Sequence, residues 1–318
     1  MAGFLFFIFM KKDYTKEPKD FAAQVDLLEQ RGLIIENKLK VANILHSISY
    51  NRLSSYWHPF LIDIDSEEFK PDTEFNTIFK TYQFDSELRL LLFYAIEQIE
   101  IAIRTQIIYH LSMKYNSGFW FENPQAFKSY PFYVDLLNKL CLNVENSKQE
   151  YIKKYKEKYN QFLPPSWKSF ETLTFNTLFS VYKNLRDKDE PIKIAKHFGV
   201  HHEVLQSWIE SMIYVRNICA HHSRLWNIKL TIKPIWPKNP HRQWVSKWEN
   251  LAQESNNKEL KMYAVICIAA YLLDSVNPYN KFREKLNELL SNYPEISTNK
   301  MGFPDKWQEE PLWQKNKK

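Results

Sequence analysis

The run Arg216-Asn217-Ile218-Cys219-Ala220-His221-His222 brings a guanidinium, an amide and an imidazole together within about two helical turns. Histidine exchanges protons near neutral pH, and a fixed arginine stabilises the negative charge that builds on phosphate oxygens. On a helix, Asn217, His221 and Arg224 stand at i, i+4 and i+7 and therefore share one face. These residue types suit metal-independent cleavage of RNA, in which a 2′-hydroxyl loses a proton and a leaving 5′-oxygen gains one, while a purely structural histidine is the alternative that residue types alone leave open.

Bulk composition excludes several function classes. The chain has 318 residues and only five glycines, which lie far apart, so glycine-rich phosphate loops and dinucleotide fingerprints are excluded. Its 43 Lys and Arg against 37 Asp and Glu give a net charge of +6, which is compatible with a polyanionic partner. Three separated cysteines without metal or redox spacing predict a reducing cytosol.

The amino terminus begins with an apolar stretch at residues 4–10, which is too short to span a bilayer. No basic region precedes it, and Lys11 and Lys12 follow it, so it is a poor signal peptide. We therefore expect a cytoplasmic protein with no membrane segment. Because Met10-Lys11-Lys12 is typical of an initiation site, residues 1–10 are interpreted as the product of an upstream start codon.

Helical periodicity dominates the chain, and strands are few. Asp20 is predicted to cap a first helix that ends near Gly32, and a second helix should bury Leu39 and Leu45. The wide apolar stripe of the longest predicted helix suggests a central position in a bundle. The predicted helices are 20–31, 37–46, 85–115, 170–185, 202–222, 260–276 and 280–290. The predicted organisation is an N-terminal helical, aromatic segment at 1–75, a helical bundle at 76–292 and a C-terminal tail at 293–318.

Three charged residues outside the motif are further candidates. Glu100 and Arg104 make an i,i+4 pair inside the apolar stripe of the long helix. A buried charge is expected either to be paired or to serve the site. Two interpretations therefore stay open, an ordinary ion pair and a second layer of residues behind the motif. Arg52 lies in the aromatic-rich stretch 49–60, which is interpreted either as a packed turn or as a base-stacking surface with Arg52 on phosphate.

The stretch from Arg216 to Asn227 closely resembles the signature of the Abi-like family, the AbiD/AbiF group of bacterial abortive-infection proteins. Further blocks resemble that family in the expected order and together cover most of residues 14–230. These blocks are 31–33, 48–57, 84–89, 99–104, 164–167 and 171–178. One departure is Asn51, which stands where the family more often has an aromatic residue.

The resemblance implies an all-α fold, namely a HEPN-type helical bundle with an N-terminal helical extension. It also implies a toxin-type, metal-independent endoribonuclease without a cofactor, with RNA as substrate and a structured RNA as a regulator. This chain has one clear motif, so a homodimer would supply the second. In the family pattern Arg216 stabilises phosphate charge, His221 transfers protons, and Asn217 orients the histidine ring or the phosphate. The residues assigned to RNA binding or to the helix end are His222, Arg224 and Asn227.

Three alternatives stay open. A zinc site could draw on His197, His201, His202, His221 and His222. The first two have helical i,i+4 spacing, but no third ligand is evident beside that pair. A DNA-binding helix-turn-helix at 192–208 lacks the Arg, Lys, Asn or Gln that base readout requires at the start of its second helix. The third is a non-catalytic module of the same bundle type, which binds RNA or senses a phage component.

Overall fold

The structure is a computed structural model that describes residues 13, 17–246 and 261–314. It divides the chain into two units, Met1–Tyr82 and Gln83–Lys318. Within the described residues all regular elements are helices, and β pairing is limited to isolated bridges such as Phe127 with Leu185. The all-α prediction is therefore confirmed. The interpretation of residues 1–10 as the product of an upstream start lies outside the described residues.

The first unit begins with helices whose ends follow from local chemistry. Its helices are α1 (Phe21–Gln30), α2 (Lys38–Ile48) and α3 (Tyr50–Trp57). Asp20 caps α1, because its carboxylate accepts a hydrogen bond from the Ala23 amide at 2.7 Å. Gly32 follows α1 with φ of 88°, a left-handed conformation that glycine adopts without steric cost. Both ends of the first predicted helix are thus confirmed to within a residue or two.

The core of the first unit is built from aliphatic and aromatic side chains of all three helices and the segment that follows them. Leu28, Leu45, Leu53 and Trp57 are among its buried members. Leu39 was predicted to be buried, but its side chain is 73% exposed. The reason is that Val41 and Leu45, four residues apart, form the inward stripe of α2, and Leu39 lies off that stripe.

The longest helix, α4 (Phe75–Tyr115), starts well before the predicted Asp85. Its first turns are held in the core of the first unit, where Phe75 and Ile78 are buried. Beyond Tyr82 the helix belongs to the second unit, and Ile96, among others, is buried there. Burial of these side chains in the first unit carries the helix ten residues further toward the amino terminus than predicted.

The second unit contains the remaining described helices. They are α5 (Tyr130–Glu145), α6 (Glu150–Lys158), α7 (Ser166–Ser169), α8 (Phe175–Asn184), α9 (Asp189–His197), α10 (His202–Ala220), α11 (Met262–Val276) and α12 (Phe282–Asn292). The helix buried on all sides is α11, whose side chains are buried without a break from Met262 to Leu273. By contrast, α4 leaves Leu90, Tyr94 and Ile101 substantially exposed, so only one of its faces is in the core, and the expected central position is corrected.

The segment that follows α12, which was predicted to be a tail, is packed as far as residue 314. It forms short 3₁₀ turns, and Trp307 and Trp313 are buried in it. The Trp313 indole donates a hydrogen bond to the Tyr263 hydroxyl of α11 at 2.9 Å. Residues 293–314 therefore form part of the second unit, because their aromatic side chains cover the start of its most buried helix.

Candidate functional site

The predicted motif straddles the carboxyl end of α10. The helix ends at Ala220, and His222 adopts a left-handed conformation with φ of 54°. The Ser223 amide donates to the Ile218 carbonyl at 2.9 Å, and the His222 amide donates to the Cys219 carbonyl at 3.0 Å. This pair of bonds is a Schellman motif, which satisfies carbonyls that the helix end would otherwise leave open.

This helix end corrects one geometric expectation. Asn217 lies on the last full turn of α10, and His221 is the C-cap, with its amide bonded to the Asn217 carbonyl at 3.0 Å. Arg224 lies beyond the left-handed turn at His222, so it does not continue the helical face at i+7. Its position is set by the turn and by the segment that follows, and its side chain is half-buried.

The three residues predicted to carry the chemistry reach the protein surface. Asn217 and His221 are exposed, and Arg216 is half-exposed. The Arg216 guanidinium donates a long hydrogen bond to the Asn217 side-chain oxygen, at 3.4 Å. On the opposite side of the helix Val215 and Cys219 are buried. The chain therefore presents a guanidinium, an amide and an imidazole at the surface of one helix end.

A buried ion pair on α4 holds the segment that follows the motif. Asp85 is completely buried, and its carboxylate accepts hydrogen bonds from the Leu225 amide at 3.0 Å and from the Trp226 amide at 2.5 Å. Arg89, one turn later on α4, forms an ion pair with Asp85, and its guanidinium lies 3.5 Å from the Ser223 carbonyl oxygen. A buried carboxylate is tolerated when it is paired and hydrogen-bonded in this way. The backbone just after the motif is thus fixed to the long helix.

Asp85 and Arg89 are the residues that the sequence analysis missed. They were noted only as part of a block that resembles the Abi-like family. A usable signal was present, because Asp85 lies three residues before Leu88 and seven before Leu92, both of which are buried. A charge pair on the buried stripe of a helix indicates a buried partner elsewhere in the chain.

The buried side of the motif carries a thiol that is not available for chemistry. Cys219 is 5% exposed, and burial is the main cause that raises the pKa of its thiol to about 12. A thiol with that pKa is protonated at neutral pH, and a nucleophilic cysteine requires the thiolate. Trp226 is 2% exposed and belongs to the core.

Comparison with known proteins identifies the family. Residues 43–227 match the family described as Abi-like protein, which is more than half of the chain. The chain belongs to the Abi-like family. Neither the curated proteins nor the solved structures contain a match. Membership in the Abi-like family implies a function of the abortive-infection type, and the matched region ends at the residue that closes the motif segment, Asn227.

The remaining candidate residues of this Abi-like chain do not all lie at the motif. Arg104 donates to Glu100 at 2.7 Å and to the Leu173 carbonyl at 3.1 Å, and its guanidinium lies 3.5 Å from Glu171. Glu100 also lies about 22 Å along α4 from Asp85. The pair therefore fastens α4 to the segment 171–173, and these contacts correct the idea of a second layer directly behind the motif.

Arg52 belongs to the first unit, where it is exposed on α3. In the second unit Asn227 is half-buried and has a left-handed φ of 55°, a conformation that asparagine adopts more readily than most residues. His222 is exposed. Around the motif the Abi-like chain therefore gathers Arg216, Asn217, His221 and His222 at the surface, with Arg224 and Asn227 partly covered beside them.

Two structural findings bear on the zinc-site and DNA-binding alternatives. Among the described residues of this Abi-like chain no group of three or more His, Cys, Asp and Glu side chains is arranged to hold a metal ion. The predicted recognition helix, α10, buries Val204, Leu205 and Trp208 in its first two turns, which leaves little of it for a DNA groove. Within 17–246 and 261–314, none of the helices combines the length and hydropathy that crossing a bilayer requires.

Proposed function

We propose that this Abi-like protein is a metal-independent endoribonuclease of the HEPN type that acts as a toxin in abortive infection. The observation that carries the proposal is the exposed helix end with Arg216, Asn217 and His221, held in place by the buried carboxylate of Asp85. A reactive site needs side chains that reach a polymer and a backbone that does not move beneath them. The motif combines both properties.

The chemistry requires only groups that this chain supplies. A 2′-hydroxyl gives its proton to an imidazole and attacks the adjacent phosphorus, while the bond from phosphorus to the 5′-oxygen breaks. The leaving 5′-oxygen takes a proton from an imidazolium, which yields a 2′,3′-cyclic phosphate and a 5′-hydroxyl. In the proposal His221 transfers these protons, and Arg216 stabilises the charge on the non-bridging oxygens. Asn217 orients Arg216 or the phosphate.

Two copies of the chain form the proposed site. Arg216 and His221 are five residues apart, which places them about 140° apart around the helix axis. Their side chains therefore leave α10 in different directions, which favours a cleft where each chain supplies part of the machinery. Two chains also provide two imidazoles, one for each proton transfer. The proposed active form is accordingly a homodimer.

The surrounding residues are proposed to bind RNA. His222, Arg224 and Asn227 follow the reactive residues directly, and their polar groups suit phosphate and sugar contacts. The net charge of +6 favours a polyanion in general. A structured RNA is the proposed regulator of the toxin, and the same net positive charge would attract it.

The test is cleavage of a fluorescently labelled RNA by the purified full-length protein in the presence of a chelator. We expect wild type to cut, and His221→Ala to lose about 100-fold or more in rate, the usual contribution of a general acid or base. Arg216→Lys keeps the charge but loses the two-pronged geometry, so it should also be impaired. RNA with 2′-O-methyl groups at the cut positions should resist cleavage, because its nucleophile is blocked.

A matched control is His58→Ala, which removes an exposed histidine far from the motif in sequence and should cut normally. His221→Ala and Arg216→Lys should melt within about 2 °C of wild type, because both side chains are at the surface. Absence of cleavage by wild type, with RNA binding that does not change in His221→Ala, would instead favour the non-catalytic sensing module. Full activity of His221→Ala would refute the assignment.

A further inference from the structure

A concave site lies at the end of α10 opposite the motif. It is a cavity of about 640 Å³, formed between the turn that joins α9 to α10 and the segment 235–241. His202, at the first turn of α10, is about 21 Å along the helix axis from Arg216. The cavity is therefore separate from the motif, and its volume lies in the range of small-molecule sites.

The segment 235–241, which forms the outer wall of this cavity, is held by hydrogen bonds at both of its ends. At one end the Ile235 amide donates to the Ser207 hydroxyl at 2.7 Å, and the Trp208 indole donates to the Ile235 carbonyl at 2.9 Å. At the other end the His241 amide donates to the Gly199 carbonyl at 3.1 Å. A β-carbon on Gly199 would lie 3.2 Å from that of His241, which is a tight contact, and the φ of 71° at this position favours glycine. The cavity is thus built before any ligand enters.

The polar lining is mainly cationic or imidazole. Lys196 and Lys238 carry positive charge, and His201, His202 and His241 add three rings, against a single carboxylate in the lining. An anionic ligand fits this set of groups best.

The rest of the lining is apolar and includes an indole. Trp236 is half-buried, and Ile192 and Ile235, each 49% exposed, lie in the same lining. A surface of this kind suits a planar ring, since an aromatic side chain can stack on any of the nucleic-acid bases. The cavity therefore offers an apolar part for a ring and a cationic part for a phosphate.

We propose that this cavity binds a nucleotide, with the phosphate held by Lys196 and Lys238 and the base against Trp236. The nucleotide is either free in solution or one unit of an RNA strand, because both present the same phosphate and ring. The inference does not depend on cleavage at the motif, since the two sites lie at opposite ends of α10.

The experiment is equilibrium binding of adenosine 5′-monophosphate and, separately, of a ten-nucleotide RNA to the full-length protein by isothermal titration calorimetry. The test variant is Lys196→Gln/Lys238→Gln. The control is Lys153→Gln/Lys188→Gln, which removes the same charge from exposed lysines outside the cavity. We expect the test variant to bind about tenfold or more weakly and the control to bind as wild type.

A second variant, Trp236→Leu, tests the ring. It should weaken nucleotide binding about fivefold or more and leave the binding of inorganic pyrophosphate unchanged, because pyrophosphate has no ring. Lysine-dependent binding of the monophosphate identifies a free nucleotide, and lysine-dependent binding of the RNA alone identifies a strand. Equal weakening in the test and control lysine variants, or no binding of either probe by wild type, overturns the proposal. An equal effect of Trp236→Leu on pyrophosphate and nucleotide overturns the assignment of the ring.

Discussion

The Asp85 carboxylate gives the sharpest test of how the motif is held. Asp85→Asn keeps the size of the side chain but removes its charge, and the buried Arg89 guanidinium then lacks its counterion. The oxygen of the new amide can still accept from the Leu225 and Trp226 amides, but its NH2 group then faces the Arg89 guanidinium, which can only donate. Breaking one side of a buried ion pair costs about 3–5 kcal/mol in unfolding free energy. At about 2–4 °C per kcal/mol, the melting temperature should fall by about 6–20 °C.

The matched control is Asp135→Asn on α5. Asp135 also pairs with a basic residue at i+4, Lys139, at 2.7 Å, but both side chains are about half exposed. Exposed pairs contribute about 0–1 kcal/mol, so this variant should melt within about 4 °C of wild type. The substitution and the helical spacing are the same, so the difference in melting temperature reports the burial of Asp85 together with its bonds to Leu225 and Trp226.

The assay combines thermal unfolding with hydrogen–deuterium exchange of native protein. In Asp85→Asn, peptides that contain Leu225 and Trp226 should exchange faster, because a neutral oxygen replaces the charged acceptor of both amides. Peptides from α11 should change only through the global loss of stability. Equal melting of the two variants, or unchanged protection at Leu225 and Trp226, would refute the claim that Asp85 holds the motif segment.

Two further predictions concern histidines. Burial lowers the pKa of three histidines in the folded protein, namely His110, His197 and His202. As the pH falls below the ordinary histidine pKa of 6.5, the unfolded chain therefore binds protons more readily than the folded one. The melting temperature should therefore fall between about pH 6.5 and pH 5.5, and a flat or rising curve from scanning fluorimetry would contradict this. His222→Gly removes a left-handed non-glycine residue, and differential scanning calorimetry should show a melting temperature about 2–4 °C higher. A lower melting temperature would mean that the His222 side chain itself stabilises the turn.

The sequence was informative wherever structure depends on near neighbours. Asp20 caps α1 and Gly32 follows it, because both act on backbone groups within a few residues. The end of α10 was predicted to within two residues of Ala220 for the same reason. Periodicity also gave the helical class, since a 3.6-residue repeat is a local property.

The rest depends on partners that are distant in the chain. Asp85 is significant only because Leu225 and Trp226 come to it, 140 and 141 residues later. Residues 293–318 were predicted to be a tail, but Trp313 donates a hydrogen bond to Tyr263 of α11. Short 3₁₀ turns leave no periodic signature, so only their aromatic content pointed to burial.

The design of the helix end favours a binding surface over a purely structural one. A turn built for stability would carry glycine at position 222, yet an imidazole is there in a left-handed conformation. Four residues later the chain is fully covered at Trp226, and its amide is bonded to the buried Asp85. The proposed binding surface next to His221 therefore combines a buried, hydrogen-bonded base with an exposed polar front. Preorganisation of this kind lowers the entropic cost of binding, and it serves cleavage and sensing equally. The difference between those two functions therefore rests on whether His221 moves a proton, which only the cleavage assay measures.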